Sequence, residues 1–261
     1  MTQWNRKRAA LAAAAVVVVG IVLVWLLVRP ERDESLERVL ETGLLRVAIE
    51  GDNPPFGLLL DDEMRGLDVD LARALAEALG VEVQFAIMGY DSLYDALEVG
   101  LVDAVISALW VDPDRMDDVR YARAYFNAGQ VMVVAEGGQV RSADDLEGRT
   151  LAVEFGSEGD VWARREERRR AALRVVRHDT PFAALDALAR GEVDAAVVHA
   201  ISARTYLKGA MMDLVVTAQV TDEPYAVAVR SKGEALWRAL DKALGAMIDS
   251  GALEAIVARW F

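Results

Sequence analysis

The 261-residue sequence has no cysteine, only two histidines and only six prolines. Without cysteine, the chain has no disulfide, thiolate metal site, cysteine nucleophile or lipid-modified cysteine. Two histidines offer little for an imidazole-based metal site. A 54% hydrophobic content with so little proline is typical of a folded chain. The length fits one large or two small domains.

Acidic residues are also missing from the first 30 positions, where Arg6, Lys7 and Arg8 precede the uncharged residues 9–28. A helix of that length spans about 30 Å, the thickness of a bilayer's hydrocarbon core. We predict a single transmembrane anchor with its basic tip in the cytoplasm and the remaining chain outside. A cleaved signal peptide and a buried helix are the alternatives. The segment Val28-Arg29-Pro30-Glu31 lacks a small-x-small cleavage site, which favours the anchor.

The charge is strongly acidic outside the basic tip. The formal net charge is -13, and it becomes -16 when the tip's three bases are set aside, because all 42 acidic residues follow it. Such a surface disfavours nucleic acid and anionic membranes as partners. The basic stretch at residues 164–170 has Glu166 four positions before Arg170, which is typical of a solvated helix face.

Apolar spacing predicts strands and helices in alternation, which indicates an α/β fold with mostly parallel sheets. The first series has strands at residues 44–49, 81–87 and 104–109 and helices at 67–79 and 92–99. The second series has strands at 131–135, 150–155, 174–177, 195–199 and 214–217, with helices at 157–170, 181–189 and 201–207. A strand at 225–230 and one or two helices at 235–261, with a break at Gly251, complete the prediction.

One phrase occurs twice, as ALEVGLVDAV at residues 96–105 and as ALARGEVDAA at 187–196. In each copy a helix ends, and the glycine, Gly100 or Gly191, is predicted to take a left-handed conformation. Asp103 or Asp194 then precedes a strand. The repeat therefore predicts the same helix-to-strand joint in two units of related build, and it carries no information about chemistry.

Seven strings in the right order resemble the bacterial extracellular solute-binding proteins of family 3, the polar amino acid type that serves ABC importers. They are GDNPPF (51–56), RGLDVDLARALAEALG (65–80), YDSLYDALEVGLVDAVIS (90–107), DPDR (112–115), EFGSEGD (154–160), GEVDAAVV (191–198) and IVARWF (256–261). The resemblance implies a two-lobe periplasmic-binding-protein-like fold (type II) with a cleft that closes on a ligand. It places lobe 1 at residues 43–132 plus 223–261 and lobe 2 at 133–222, after the anchor and a spacer at 31–42.

The resemblance also implies a ligand site. Arg115 matches an arginine that binds the ligand carboxylate, for which a guanidinium offers two parallel hydrogen bonds. Ser157 matches a helix N-terminal serine or threonine that binds the same group. Four further residues are implied near the ligand: Ser107 on the rim of lobe 1, Glu50 at the end of the first strand, Tyr90, and Asn53 in place of an aromatic residue.

Three residues depart from the family pattern. Trp110 replaces a serine or threonine, Glu158 replaces a frequent threonine, and His199 replaces an aspartate that accepts the ligand's ammonium group. A neutral imidazole carries no charge to balance an ammonium group. Either Glu158 supplies the missing charge, or the ligand is not an α-amino acid.

We therefore predict a membrane-anchored solute-binding protein that delivers an amino acid or related small carboxylate to an ABC importer permease, with no cofactor or metal. The alternatives on the same scaffold are a cyclohexadienyl-dehydratase-like enzyme and a ligand-sensing module. For the enzyme, Glu158 and His199 form a conceivable acid-base pair. The sequence has no GxSxG, HExxH or P-loop motif.

Overall fold

The computed structural model describes residues 33–209 and 213–261. The predicted anchor at residues 9–28 lies outside these ranges. Within them, no helix has the length and apolar character needed to cross a membrane.

The first sheet has five strands in the order β5-β1-β6-β13-β7 and forms the centre of lobe 1. Its strands are β1 (Leu44–Ile49), β5 (Glu82–Ile87), β6 (Ala104–Val105), β7 (Val119–Asn127) and β13 (Pro224–Arg230). The strands β5, β1 and β6 are parallel, while β13 runs antiparallel to β6 and β7. The sheet therefore ends, on the β7 side, in a pair of antiparallel strands that lead towards the second sheet.

Five helices pack on this sheet: α1 (Ser35–Thr42), α2 (Leu67–Leu79), α3 (Leu93–Glu98), α7 (Glu234–Ser250) and α8 (Ala252–Trp260). In α2 the apolar positions recur every four residues, so Leu67, Leu71 and Leu75 share one buried face. The helix ends at Gly80, whose φ of 73° allows the left-handed cap. The break predicted at Gly251 separates α7 from α8, with φ at 77°.

The second sheet has the order β10-β9-β11-β8-β12 and forms the centre of lobe 2. Its strands are β8 (Gln130–Ala135), β9 (Thr150–Glu154), β10 (Arg174–His178), β11 (Ala195–His199) and β12 (Leu214–Gln219). The helices α4 (Glu158–Arg169), α5 (Pro181–Ala189) and α6 (Ala200–Gly209) join them. Because β10, β9 and β11 are parallel, their carboxyl ends, including Glu154 and His199, lie at one edge of the sheet.

Two segments cross between the sheets. Residues 128–129 connect β7 to β8, and residues 220–223 connect β12 to β13. The crossings are hydrogen-bonded to each other, since the Ala128 amide donates to the Glu223 carbonyl at 2.9 Å. A β-carbon on Gly129 would lie 2.0 Å from the Thr221 carbonyl oxygen, so this close approach requires glycine.

The repeated phrase has the same structure in both lobes, as predicted. Gly100 and Gly191 have φ values of 75° and 70°. The Asp103 carboxylate accepts the Arg46 amide at 3.0 Å, and the Asp194 carboxylate accepts the Thr150 amide at 2.7 Å. Each aspartate therefore joins the start of its own strand to the neighbouring strand.

Several elements differ from the sequence prediction. The strand predicted at residues 104–109 is only Ala104–Val105, because the chain turns at Ala108, where φ is 44°. The sequence analysis did not predict β7. It also did not predict a small sheet, which consists of β2 (Asp52–Asn53), β3 (Gly57–Leu60) and β4 (Glu63–Arg65). The charged stretch at 31–42 was predicted as a spacer, with a helix as one option. It contains α1, and the burial of Val39 in the core of lobe 1 was not predicted.

Candidate functional site

The end of β1 brings together four of the predicted site residues. The Glu50 amide donates to the Ser107 hydroxyl at 3.0 Å, although the two residues are 57 positions apart. Ser107 is only 2% exposed. Burial raises the pKa of Glu50, and the neighbouring carboxylates of Asp52 and Asp91 raise it further. The Asn53 side chain and the Tyr90 amide lie close enough to the Glu50 carboxylate to lower its pKa, but the net shift is upward.

Arg115 lies in a short turn that its own sequence determines. Asp112 caps the turn by accepting the Asp114 amide at 2.9 Å, and Pro113 follows at the first position. The Arg115 guanidinium rests on the Tyr94 ring, 4.8 Å from its centroid, and lies 4.0 Å from the Asp118 carboxylate. The arginine side chain is 48% exposed. The guanidinium is therefore positioned by the face of the Tyr94 ring and by one acid, Asp118, at 4.0 Å.

Tyr94 fixes the platform beneath this arginine. Its hydroxyl shares a hydrogen bond of 2.8 Å with the Tyr121 hydroxyl. Burial raises the pKa of Tyr94, and the hydrogen bond with Tyr121 raises it further. The platform is therefore neutral at ordinary pH, and its attraction for the guanidinium is that of a ring face for a cation.

Asp68 supports the same rim from inside lobe 1, and the sequence analysis did not identify it. The Ala108 amide donates to the Asp68 carboxyl at 2.5 Å, directly after Ser107. Asp68 has no solvent exposure, and burial raises its pKa to about 7. The buried Tyr125 hydroxyl also acts on this carboxyl, in a geometry looser than a normal hydrogen bond. Asp68 therefore holds a strained turn with little charge of its own below neutral pH.

The predicted residues of lobe 2 lie at the start of α4. Ser157 is the N-cap, accepting the Asp160 amide at 3.2 Å, and its hydroxyl donates to the Glu154 carbonyl at 2.8 Å. Gly156 before it has φ at 77°. Glu158 is exposed at the first helical position. The first-turn amides of α4 form a site suited to an anion.

Asp160 fixes the loop in front of α4. Its carboxylate accepts the Gly156 amide at 3.1 Å and hydrogen bonds from Arg164 at 2.7 Å and Arg177 at 2.7 Å. These hydrogen bonds, that of Arg164 above all, lower the pKa of Asp160 although the group is buried. Asp160 thus remains ionised and restrains the loop that carries Ser157.

His199 and Trp110 meet the segment that crosses between the lobes. The His199 Nε2 atom lies 3.5 Å from a Glu223 carboxylate oxygen. The Tyr225 hydroxyl donates to the other oxygen at 3.4 Å. Trp110, which is 41% exposed, pairs with Tyr225 through an isolated bridge. The acid next to His199 is therefore Glu223, which the sequence analysis did not identify, whereas Glu158 lies on α4.

The predicted residues fall into four groups in the structure, of which Ser157 and Glu158 at the start of α4 are the fourth. The first group surrounds Glu50, the second comprises Arg115 on its tyrosine platform, and the third joins Trp110 and His199 through Tyr225 and Glu223. Ser157 and Glu158 follow β9, which pairs directly with the His199 strand. Among the described residues, no cluster of three or more histidine and acidic side chains is arranged to hold a metal ion.

Two α/β lobes with polar residues at strand ends and crossings define a protein of the two-lobe solute-binding class. The profile of the bacterial extracellular solute-binding proteins, family 3, matches residues 45–261, and the chain belongs to this family. The family expected from the sequence is thereby confirmed.

Individual relatives agree with this assignment. The L-cystine-binding protein TcyJ of Escherichia coli K12 is 30% identical over 234 residues, covering 88% of this chain and 87% of the relative. The solved structure of an ancestral cationic amino acid solute-binding protein, AncCDT-1, is 27% identical with a TM-score of 0.60, covering 87% of this chain and 99% of that one.

The structure of an ancestral cyclohexadienyl dehydratase, AncCDT-3(P188L), has a TM-score of 0.75 at 22% identity, covering 86% of this chain and 95% of that one. At this identity the similarity shows the fold alone. The relatives as a group are amino acid-binding proteins of ABC transporters, and no finding indicates catalysis by this chain.

Proposed function

We propose that this protein binds an amino acid between its two lobes and delivers it to the permease of an ABC importer. The observation that carries the proposal is the state of Arg115: a half-exposed guanidinium held on the Tyr94 ring, with Asp118 no closer than 4.0 Å. A carboxylate can take two parallel hydrogen bonds from such a group and gain more than a surface ion pair provides. In this proposal, the start of α4 with Ser157 offers a second set of donors to the same carboxylate.

The names of the relatives narrow the set of ligands to test. They are proteins that bind L-cystine, arginine and histidine. Three acids, Glu50, Asp112 and Glu223, act electrostatically on Tyr90. Together with the Arg115 guanidinium they suit a ligand that has both a carboxylate and a cationic group. We propose Glu50, Asn53 and Tyr90 as contacts of the ligand's side chain.

Substitution of Arg115 by lysine tests the carboxylate site. Lysine keeps the charge and loses the planar pair of donors. We expect affinity for the amino acid to fall about ten- to a hundredfold, since a charge-assisted hydrogen-bond pair contributes roughly 1.5 to 3 kcal/mol. Calorimetric titration with L-cystine, L-arginine, L-histidine and the remaining standard amino acids measures this. The melting temperature without ligand should stay within about 1 °C, because the arginine is solvated on a ring face.

Arg120→Lys is the matched control. Arg120 is also a half-exposed arginine of lobe 1 on an aromatic ring, 5.9 Å from the centroid of Trp237, but it donates to the Ser231 carbonyl at 2.6 Å. It should leave affinity unchanged. Equal binding by Arg115→Lys and the parent protein would refute the carboxylate site, and turnover in a cyclohexadienyl dehydratase assay on the same sample would favour the enzyme.

We also propose that residues 9–28 anchor the protein in the cytoplasmic membrane, with residues 43–261 outside the cytoplasm. The support is the uncharged run of 20 residues behind three basic ones and the family's extracellular role. An anchored receptor stays close to its permease, because diffusion is confined to the membrane plane.

A further inference from the structure

Glu223 lies in the crossing segment, and its backbone and its carboxylate make different kinds of contact. Its backbone makes the bonds that hold the crossing together, donating to the Asn127 side chain at 3.0 Å and accepting the Ala128 amide at 2.9 Å. Its carboxylate, in contrast, is 41% exposed, and within the described part of the chain its polar contacts are the His199 imidazole and the Tyr225 hydroxyl. The side chain is thus free to serve a purpose other than folding.

The charge of Glu223 has no permanent counter-ion in the described ranges 33–209 and 213–261. No lysine or arginine there lies within 4.0 Å of its carboxylate, and the sole ion-pair contact is His199 at 3.5 Å. Two acids of lobe 1 differ. Asp103 is bound by Arg38 and Arg46, and Asp241 by Arg123. Such pairing satisfies structural acids, whereas Glu223 keeps a charge that a ligand can neutralise.

The carboxylate also lies within electrostatic reach of the wall of lobe 1. Burial raises the pKa of Tyr90, and the charges of Glu50, Asp112 and Glu223 all contribute to that rise. Glu223 and the Glu50 group therefore act on the same space, from the crossing segment and from the end of β1. A cationic group entering this space would meet two carboxylates and the His199 imidazole.

His199 fits the role of an orienting neighbour. It lies at the end of β11, where it pairs with Gln130 at the start of the first crossing strand. With its Nε2 atom 3.5 Å from a Glu223 carboxylate oxygen, the imidazole restricts where that carboxylate can lie. Glu158, the other acid considered for this role, is exposed at the start of α4, where the helix dipole already attracts its charge.

From this geometry we infer that Glu223 binds the ammonium group of the ligand, with His199 orienting its carboxylate. The inference rests on the proposed function and goes beyond it by assigning the residue that recognises the ammonium group, at a position outside the strand end where His199 lies.

The test compares Glu223→Gln with the parent protein. The probes are the twenty standard L-amino acids and L-cystine, and, for each one that the parent binds, the analogue in which hydrogen replaces the α-ammonium group. We expect Glu223→Gln to bind the amino acid about ten- to a hundredfold more weakly and its analogue within about threefold of the parent. Glu223→Asp keeps the charge on a shorter arm and should bind between the two.

Asp222→Asn is the matched control, because it removes the same charge from the adjacent residue. Asp222 accepts the Asn127 side chain at 2.8 Å, a bond that asparagine can retain, and affinity should stay within about twofold. If Glu223→Gln binds the amino acid as tightly as the parent, the inference is overturned and the Arg115 site is unaffected. An equal loss with the amino acid and with its analogue would also overturn it. A parent that binds none of these probes would refute the proposed function itself.

Discussion

Asp68 shows how a single carboxyl group can hold a functional turn and still oppose stability. Its oxygen accepts the amide of Ala108, the residue with φ of 44° next to Ser107. An alanine in this conformation is strained, and the buried acceptor is what offsets the strain. The carboxyl has no solvent exposure, so ionising it is costly, and its pKa of about 7 lies well above the ordinary 3.8.

This pKa predicts that stability falls as pH rises. Between pH 3.8 and about 7 the unfolded chain is ionised at this position while the folded chain keeps the proton, so unfolding releases a proton. We expect Asp68→Asn, which can still accept the Ala108 amide, to raise the free energy of unfolding by roughly 2–4 kcal/mol at pH 8. At pH 4 the gain should nearly vanish. Chemical denaturation at the two pH values measures both.

Asp241→Asn provides a control of opposite sign. The hydrogen bond from Arg123 holds the pKa of Asp241 below its ordinary value, so that this acid contributes stability above pH 3.8 and loses it as pH falls below that value. Asp241→Asn should lower the free energy of unfolding at pH 8. An Asp68→Asn protein that is no more stable than the parent at pH 8 would contradict a raised pKa at this position.

At the scale of elements, the start of α4 is held in place by hydrogen bonds from side chains of lobe 2. Ser157 caps the helix, and Asp160, in the first turn, reaches back to the Gly156 amide. Arg164 of the same helix and Arg177 of β10 bind that carboxylate, so the helix, the loop and the neighbouring strand are joined at one buried group. The proposed anion site is therefore rigid before any ligand arrives.

Asp160→Asn should loosen this element without unfolding lobe 1. Asparagine can keep the hydrogen bond from Gly156 but loses both ion pairs. We expect the free energy of unfolding of lobe 2 to fall by about 2–3 kcal/mol. Hydrogen exchange should increase at residues 156–160 and remain unchanged in β1 and β13. Glu167→Gln is the control, since Glu167 pairs with Arg177 from a more exposed site and should cost about 0.5 kcal/mol. Equal losses of stability in the two variants would show that the Asp160 carboxylate stabilises lobe 2 no more than the exposed Glu167 does.

At the scale of the whole molecule, the lobes are joined by more than the two crossings. Arg204 of α6 in lobe 2 lies 5.6 Å from the Phe126 ring and 6.0 Å from the Phe261 ring of lobe 1. Lys208 of the same helix donates to the Arg259 carbonyl at 3.3 Å. These contacts fix one arrangement of the lobes, and they would have to rearrange if a bound ligand changed it.

The proposed anchor gives a prediction for the full chain in a bacterial host. Protease added outside the cytoplasmic membrane should cleave within residues 43–261, and the protein should remain with membranes after a high-salt wash, because about 20 apolar residues hold it there. Deleting residues 9–28 should release it from the membrane fraction. Recovery of a soluble mature chain that starts near residue 30 would instead show cleavage of a signal peptide.

Local sequence determined most of the elements and the joints between them. The four-residue spacing of Leu67, Leu71 and Leu75 predicted α2, and the glycines at 100, 191 and 251 predicted left-handed breaks. The turn before Arg115 also followed from its own residues. These predictions succeed because periodicity, capping and glycine conformation act within a few residues of each other, so the information is contiguous in the chain.

Tertiary structure alone decided which polar groups meet. Asp68 of α2 and Ala108 are 40 residues apart, and Glu50 and Ser107 are 57 apart. The parallel pairing of β1 and β6 places Glu50 beside Ser107. The stretch that forms α1 was predicted as a spacer because its charged residues are typical of a linker, and only the structure places Val39 in the core of lobe 1. By sequence, His199 removes the negative charge of the family's aspartate, and only the structure shows that Glu223 lies 3.5 Å from it. Such contacts depend on sheet register and on the path of the crossings, which no local pattern encodes.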